Sequence, residues 1–202
     1  MKSTAQKDIC IVILAAGSSS RLGQPKQLIS WQNEPIIQRM AKIALATSAR
    51  QVVVVLGAYA EQIVSVVAEL PVHILINPEW AMGIGSSIRC AIKFIQQTMP
   101  DTQGVLLMVC DQPYLTTGHL EHLIQTFILH GNPVVASAYE GTAGVPALFD
   151  RALFQELLQL SPDQGGAKII RNTPNLHCIP FPEGKFDLDT PADLNELEKR
   201  KS

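Results

Sequence analysis

Between Leu14 and Lys26 the chain reads Leu-Ala-Ala-Gly-Ser-Ser-Ser-Arg-Leu-Gly-Gln-Pro-Lys. Gly17 lets a ligand come close to the backbone, and Ser18, Ser19 and Ser20 add small hydroxyl donors. Successive N–H groups in such a loop can form a nest for an anion. Arg21 and Lys26 add two cations of different character, a fork that can grip oxygens bidentately and a mobile point charge. The chemistry this suggests is the binding of a phosphate; the plainer alternative is a polar turn.

Two phosphate-loop patterns fail here. The dinucleotide fingerprint requires Gly-x-Gly-x-x-Gly and an acid at the end of the second strand. The glycines are instead Gly17 and Gly23, and the second apolar run ends in Leu56-Gly57. The P-loop requires Gly-Lys-Ser/Thr, whereas Lys26 follows Gln24-Pro25.

Three further groupings carry polar chemistry. In Asn77-Pro78-Glu79-Trp80-Ala81-Met82-Gly83-Ile84-Gly85-Ser86-Ser87, the glycines permit close approach of a flat ligand. Ser86 and Ser87 suit either the capping of a following helix or donation to a ligand. Asp111 follows an apolar run directly, in Asp111-Gln112-Pro113, where it fits both a hard-cation ligand and a strand-ending turn. Asp187 and Asp189 precede Thr190, Pro191 and Asp193, which have the types expected at the cap, first and third positions of a last helix. His119 and His122 stand three apart with no acid or cysteine at ligand spacing, so they are expected on a solvated helix face and not around zinc.

The elements that must position these residues are legible as an alternation. Runs rich in Val, Ile and Leu occur at 9–16, 51–56, 72–76, 104–110 and 133–138. Between them lie helical patterns, clearest over 117–131, where Leu120, Leu123, Ile124, Phe127 and Ile128 form a stripe and Gly131 marks the stop. Strands apolar on both faces and separated by helices predict a three-layer α/β fold with a mostly parallel sheet. Ligands of such sheets bind at the carboxyl ends of the strands, and that is where Gly17, Asn77 and Asp111 fall.

Composition bounds the rest. The 202 residues are 47% apolar with a net charge of −2, which suits one globular domain spanning 1–202 and gives no basic footprint for nucleic acid. Lys2 and Lys7 ahead of Ile9–Ala16 resemble a signal peptide superficially, but the glycine-serine loop follows at once and the β-branched run suits a buried strand. No segment reaches the length of a membrane span, so a cytoplasmic protein is expected. Cys10, Cys90, Cys110 and Cys178 include no C-x-x-C pair and read as small buried hydrophobes in a reducing compartment.

The first loop resembles L-A-A-G-x-S-x-R-x-G-x-x-K, the signature of sugar-nucleotide and cofactor nucleotidyltransferases. The later motifs recur in order over almost the whole chain, and the likeness is greatest to molybdenum cofactor cytidylyltransferases, which transfer CMP from CTP to molybdopterin. The resemblance implies a Rossmann-like nucleotidyltransferase fold. It implies nucleotide contacts from Leu14, Ala15, Ala16, Gly17, Ser18, Ser19, Arg21, Lys26, Asn77, Gly83, Ser86 and Ser87, with Arg21, Lys26 and Asp111 in catalysis. Mg²⁺ would be held by Asp111 with Asp189 or Asp187, and a molybdenum hydroxylase would be the partner of a delivery step. Related guanylyltransferases typically carry L-A-G-G and D-M-P, where this chain has Leu14-Ala15-Ala16-Gly17 and Asp111-Gln112-Pro113. That points to CTP.

The chain departs from the resemblance where the acceptor is expected. Gly144-Val145-Pro146 stands in place of Gly-His-Pro, and Asp163-Gln164-Gly165-Gly166-Ala167-Lys168 in place of a G-D-x-G-A-R run. A sugar phosphate or phosphorylated alcohol is therefore a rival acceptor. A non-enzymatic nucleotide sensor or cofactor-delivery protein is a rival function.

Overall fold

The computed structural model describes residues 7–174 and 176–200; Lys2 lies outside them. The sheet elements are β1 (Ile9–Ala15), the short pair β2 (Ser30–Trp31) and β3 (Glu34–Pro35), β4 (Gln51–Leu56), β5 (His73–Ile76), β6 (Gly104–Val109), β7 (Val134–Tyr139), β8 (Thr142–Asp150) and β9 (His177–Pro180). The helices are α1 (Ile36–Leu45), α2 (Ala60–Val67), α3 (Ile84–Thr98), α4 (Thr117–His130), α5 (Phe154–Leu158), α6 (Ala167–Asn172) and α7 (Pro191–Lys199). Seven strands form one sheet in the order β5-β4-β1-β6-β8-β7-β9. Only β8 runs against its neighbours β6 and β7.

Strand periodicity explains the layering. In β1, Ile9, Ile11 and Ile13 join the core on one face, while Cys10, Val12 and Leu14 join the core on the other. Strand β4 repeats this with Val52, Val54 and Leu56 against Val53 and Val55. A strand buried on both faces has no polar alternation to show, hence the continuous apolar runs in the sequence. Helices α1, α2, α4 and α7 supply residues to the first core, and α3, α5 and α6 to the second. The three-layer α/β architecture with a mostly parallel sheet is thus the one the sequence implies.

Helix α4 starts at Thr116, whose hydroxyl accepts from His119 N, and stops at left-handed Gly131. Helix α7 starts with a reciprocal capping box between Thr190 and Asp193, with Pro191 at its first position. Both match the sequence signals.

Three expectations need correction. Strands β8 and β9 were not among the anticipated runs: β8 contains Gly144 and Pro146, and β9 has four residues ending in Pro180. His122 is exposed, but His119 is half-buried, stacked on Phe181 at 4.4 Å and hydrogen-bonded through Nε2 to Ser137 Oγ at 2.8 Å. Burial, aided by the neighbouring His122, lowers its pKa to about 4. Cys10 and Cys110 are buried, with burial pushing each thiol up to about 12, whereas Cys178 on the edge strand β9 is exposed. Among the described residues no helix is long and apolar enough to cross a membrane.

Candidate active site

The carboxyl ends of β1, β4, β5 and β6 open on one rim. The loop after β1 is shaped from within by Gln27, a buried residue that the sequence reading passed over. Its Nε2 donates to Ala15 O and Gly17 O, both at 2.9 Å, which folds the loop back on the strand end. Ser19 carries a positive φ of 50°, and its Oγ accepts from Lys26 N at 3.2 Å. Tyr59 donates to Ser18 O at 3.0 Å. A Cβ added at Gly17 would meet nothing within 4 Å, so that face of the loop is open.

Facing it is the turn that starts α3. Gly83 has φ 119°, a conformation that L side chains rarely adopt. The turn packs on residues 160–164: Gly85 N donates to Pro162 O at 2.8 Å, and the Arg89 side chain donates through Nη1 to Leu160 O at 2.6 Å. Asn77 is buried and its Nδ2 donates to Ser86 Oγ at 2.8 Å and Ser87 Oγ at 3.0 Å. Ser86 in turn shares its one hydroxyl hydrogen between the carbonyls of Gly83, at 2.7 Å, and Glu79, at 2.9 Å. Asn77 and Ser86 therefore spend their polar atoms on holding the turn. The Asp163–Asn172 region, anticipated at the acceptor, begins behind this turn.

Between loop and turn lies a cavity of about 180 Å³. Its lining includes Leu14, Ala16, Gly17, Lys26, Gly83, Ser87 and Asp111 from the anticipated set, together with Trp80 and Ile84. Ala15, Ser18, Ser19, Arg21, Asn77 and Ser86 are not in this lining, and neither is Gln112. Trp80 lies over Gly57, where a Cβ would come within 2.5 Å of Trp80 Cβ and 2.6 Å of Ala16 O.

At the mouth stands a cluster of charges. Lys26 Nζ lies 2.5 Å from Asp111 Oδ2 and 2.7 Å from Asp189 Oδ1, and Arg21 Nη2 lies 2.6 Å from Asp189 Oδ2. Burial works to lower the Lys26 pKa, but the Asp111 charge and the hydrogen bonds to Asp111 and Asp189 prevail and raise it. Asp111 Oδ1 is buried without a hydrogen-bond partner. Burial, then the charges of Asp111 and Asp189, push Asp187 up to about 6, against a pull downward from Gln112 and Lys26. Lys26 thus brings Asp111 and Asp189 together, and Asp187 lies near enough to feel both charges. Among the described residues, no group of three or more His, Cys, Asp or Glu side chains is disposed to hold a metal ion. A second groove, of about 500 Å³, opens beyond the cluster and is lined by Arg21, Lys185, Asp187, Asp189 and Arg200 among others.

The arrangement combines an open-faced loop, two cations and clustered hard oxygen donors beside a slot lined by Trp80 and Ile84. Such a set can hold a polyphosphate and neutralise the charge that builds on it. Comparisons with known proteins show the family. The nicotine blue oxidoreductase of Paenarthrobacter nicotinovorans is 28% identical over 200 residues, covering 92% of this chain and 94% of that protein. The molybdenum cofactor cytidylyltransferase of Escherichia coli K12 is 26% identical over 192 residues, covering 94% and 95%. The crystal structure of Rv0371c from Mycobacterium tuberculosis H37Rv superposes with a TM-score of 0.82 at 25% identity, covering 96% of this chain and 100% of that one. The family model described as a MobA-like NTP transferase domain matches residues 11–177, a span that takes in the loop, the cavity and Asp111. The fold is that of a nucleotidyltransferase enzyme, and the chain belongs to the MobA-like NTP transferase domain family.

Proposed function

We propose that this protein is a Mg²⁺-dependent cytidylyltransferase that transfers CMP from CTP to molybdopterin and releases pyrophosphate. The observation that carries the reading is the Lys26 ammonium set between Asp111 and Asp189 at the mouth of the cavity walled by Gly17 and Ser87. Ala16 on the cavity lining and the whole-length likeness to a cytidylyltransferase support CTP as the donor.

The donor set fits Mg²⁺. It consists of carboxylate oxygens only, one of them the unpartnered Asp111 Oδ1. Mg²⁺ is usually held by one or two carboxylates plus substrate phosphates, so an incomplete protein site is what such chemistry needs. Asp111, with Asp189 or Asp187, would hold the ion, which supplies charge neutralisation on the triphosphate when bound.

In the reaction a phosphate oxygen of the acceptor forms a bond to the α-phosphorus of CTP. The bond from that phosphorus to the bridging oxygen breaks, and pyrophosphate leaves with the electron pair. A phosphomonoester is largely dianionic near neutral pH, since its second pKa is about 6, so no general base is needed. The chain's task is positioning and electrostatics. Lys26 and Arg21 neutralise the β,γ-phosphates and the departing pyrophosphate. Displacing Lys26 and Arg21 from the carboxylates toward the phosphates would free Asp111 and Asp189 in the same event.

The relative named as an oxidoreductase does not redirect this reading toward a dinucleotide. The acid that would hold a ribose falls at Gly57, and a side chain there would meet Trp80 and Ala16 O. Acceptor choice has a rival in a phosphorylated sugar or alcohol, favoured by Gly144-Val145-Pro146. Incubation with Mg²⁺, molybdopterin and each of the four nucleoside triphosphates tests the proposal. Pyrophosphate is expected with CTP; release with another nucleotide, or only with a different phosphorylated acceptor, reassigns donor or acceptor. CTP binding without pyrophosphate under any acceptor would favour a cofactor-delivery protein serving a molybdenum hydroxylase.

A further inference from the structure

The three acids come from two stretches of irregular backbone. Asp111 follows β6 with only Cys110 between them. Asp187 and Asp189 lie in the segment between β9 and α7, which has a short 3-10 turn at Pro182–Lys185 and no strand pairing. What registers this segment against Asp111 is a pair of bonds from one dipeptide. The main chain of Asp111 accepts from Leu188 N at 2.9 Å. The side chain of the next residue, Gln112, is 2% exposed, and its Nε2 donates to Gly184 O at 3.0 Å and more weakly to Val145 O at 3.4 Å. The two ties straddle Asp187.

The orientation of the Gln112 amide is fixed by its partners. Both are carbonyl oxygens, so only the NH₂ side can face them. The opposite atom, Oε1, is left buried without a partner, which is costly for a group kept only to fill space. The amide also faces Asp187, whose charge it favours.

We propose that Gln112 is a positioning residue of the divalent-cation site: by tying Gly184 and Val145 to the Asp111 strand end, it holds Asp187 and Asp189 within reach of Asp111. This rests on the reading of those acids as cation ligands. Gln112 is absent from the lining of the cavity, so its effect falls on cation affinity and not on nucleotide affinity. Groups that orient metal ligands from outside typically change metal affinity 10- to 100-fold when removed.

The test uses Mn²⁺ with saturating CTP, followed by water-proton relaxation enhancement and by electron paramagnetic resonance of free Mn²⁺. Gln112→Met keeps the length and loses the donor; it should weaken Mn²⁺ binding about 10- to 100-fold. CTP affinity in EDTA should stay at the wild-type value. Gln112→Asn, one methylene shorter, should give an intermediate loss, and it carries the same test where the Met variant folds poorly. Wild-type Mn²⁺ affinity in the folded fraction of either variant overturns the proposal while leaving the acid-site reading intact. Absence of relaxation enhancement in the wild-type protein overturns both.

Discussion

Lys26 and Asp111, separated by 85 positions in the chain, are joined at 2.5 Å, and their side chains are only 14% and 17% exposed. A largely buried charge left without its partner is expensive, on the order of 3 kcal/mol. Lys26→Met should therefore destabilise the nucleotide-free protein by about that amount in urea denaturation. Adding Asp111→Asn should restore most of the loss, because the uncompensated charge goes with it. Strictly additive losses would show that the two side chains are not coupled.

Asp111→Ala alone should behave differently. Lys26 keeps Asp189 as a partner, so melting should change little. Mg²⁺-dependent pyrophosphate release should fall by about 10²–10³-fold, the usual cost of removing one electrostatic group from a transfer site. Near-wild-type turnover would remove Asp111 from the metal site.

Asp187 makes stability depend on pH in the cation-free protein. Its pKa of about 6 lies above the ordinary 3.8, so the folded state binds the proton more tightly than the unfolded one. The stability this gives is full below about pH 4 and is lost as pH rises toward 6. Asp187→Asn should accordingly melt higher than wild type at pH 7.5, with the gap closing near pH 4. Mg²⁺ with CTP should reverse the order at pH 7.5, since only the wild type gains the full binding contribution. A gap that is constant across pH would show that Asp187 does not carry the effect.

Gly85→Ala tests the seam behind the cavity walled by Gly17 and Ser87. The added Cβ would collide with Ser161 O and come within 2.8 Å of Gln164 O, both of them backbone atoms with little room to yield. A loss of about 1–3 kcal/mol is expected from such overpacking. Nucleotide affinity should drop as well, because the turn bearing Gly83 and Ser87 is pushed inward. Trp80 fluorescence in a Trp31→Phe background reports that binding directly.

Much of the fold was readable because β1, β4 and β6 are buried on both faces, which leaves an unbroken apolar run. Strand β8 was not, since Gly144 and Pro146 sit inside it and its pairing with β6 on one side is long-range, although β7 on the other joins it through a short turn. The charges of the site were readable from type and place: Arg21, Lys26 and Asp111 lie in loops that leave the ends of β1 and β6, and Asp187 and Asp189 stand just before the start of α7. Gln27 and Gln112 were not, because a glutamine becomes a tie only when distant carbonyls arrive. His119 did leave a trace. It stands four residues before Leu123, on the flank of the buried stripe, whereas His122 is turned outward. Asn77 was placed correctly at the rim, but its bonds to Ser86 and Ser87 depend on how the α3 turn folds back.

The bridge from Lys26 to Asp189 spans 163 positions. During synthesis at roughly 5–20 residues per second, Lys26 waits roughly 10–30 s for that carboxylate to be made. Asp111 arrives about midway, so a half-made chain holds one acid of the cluster and a partly answered ammonium. The charge cluster therefore closes late, after the sheet strands that support it have been translated. A nascent chain that stops short of Asp189 would carry Lys26 without the second carboxylate that pairs it.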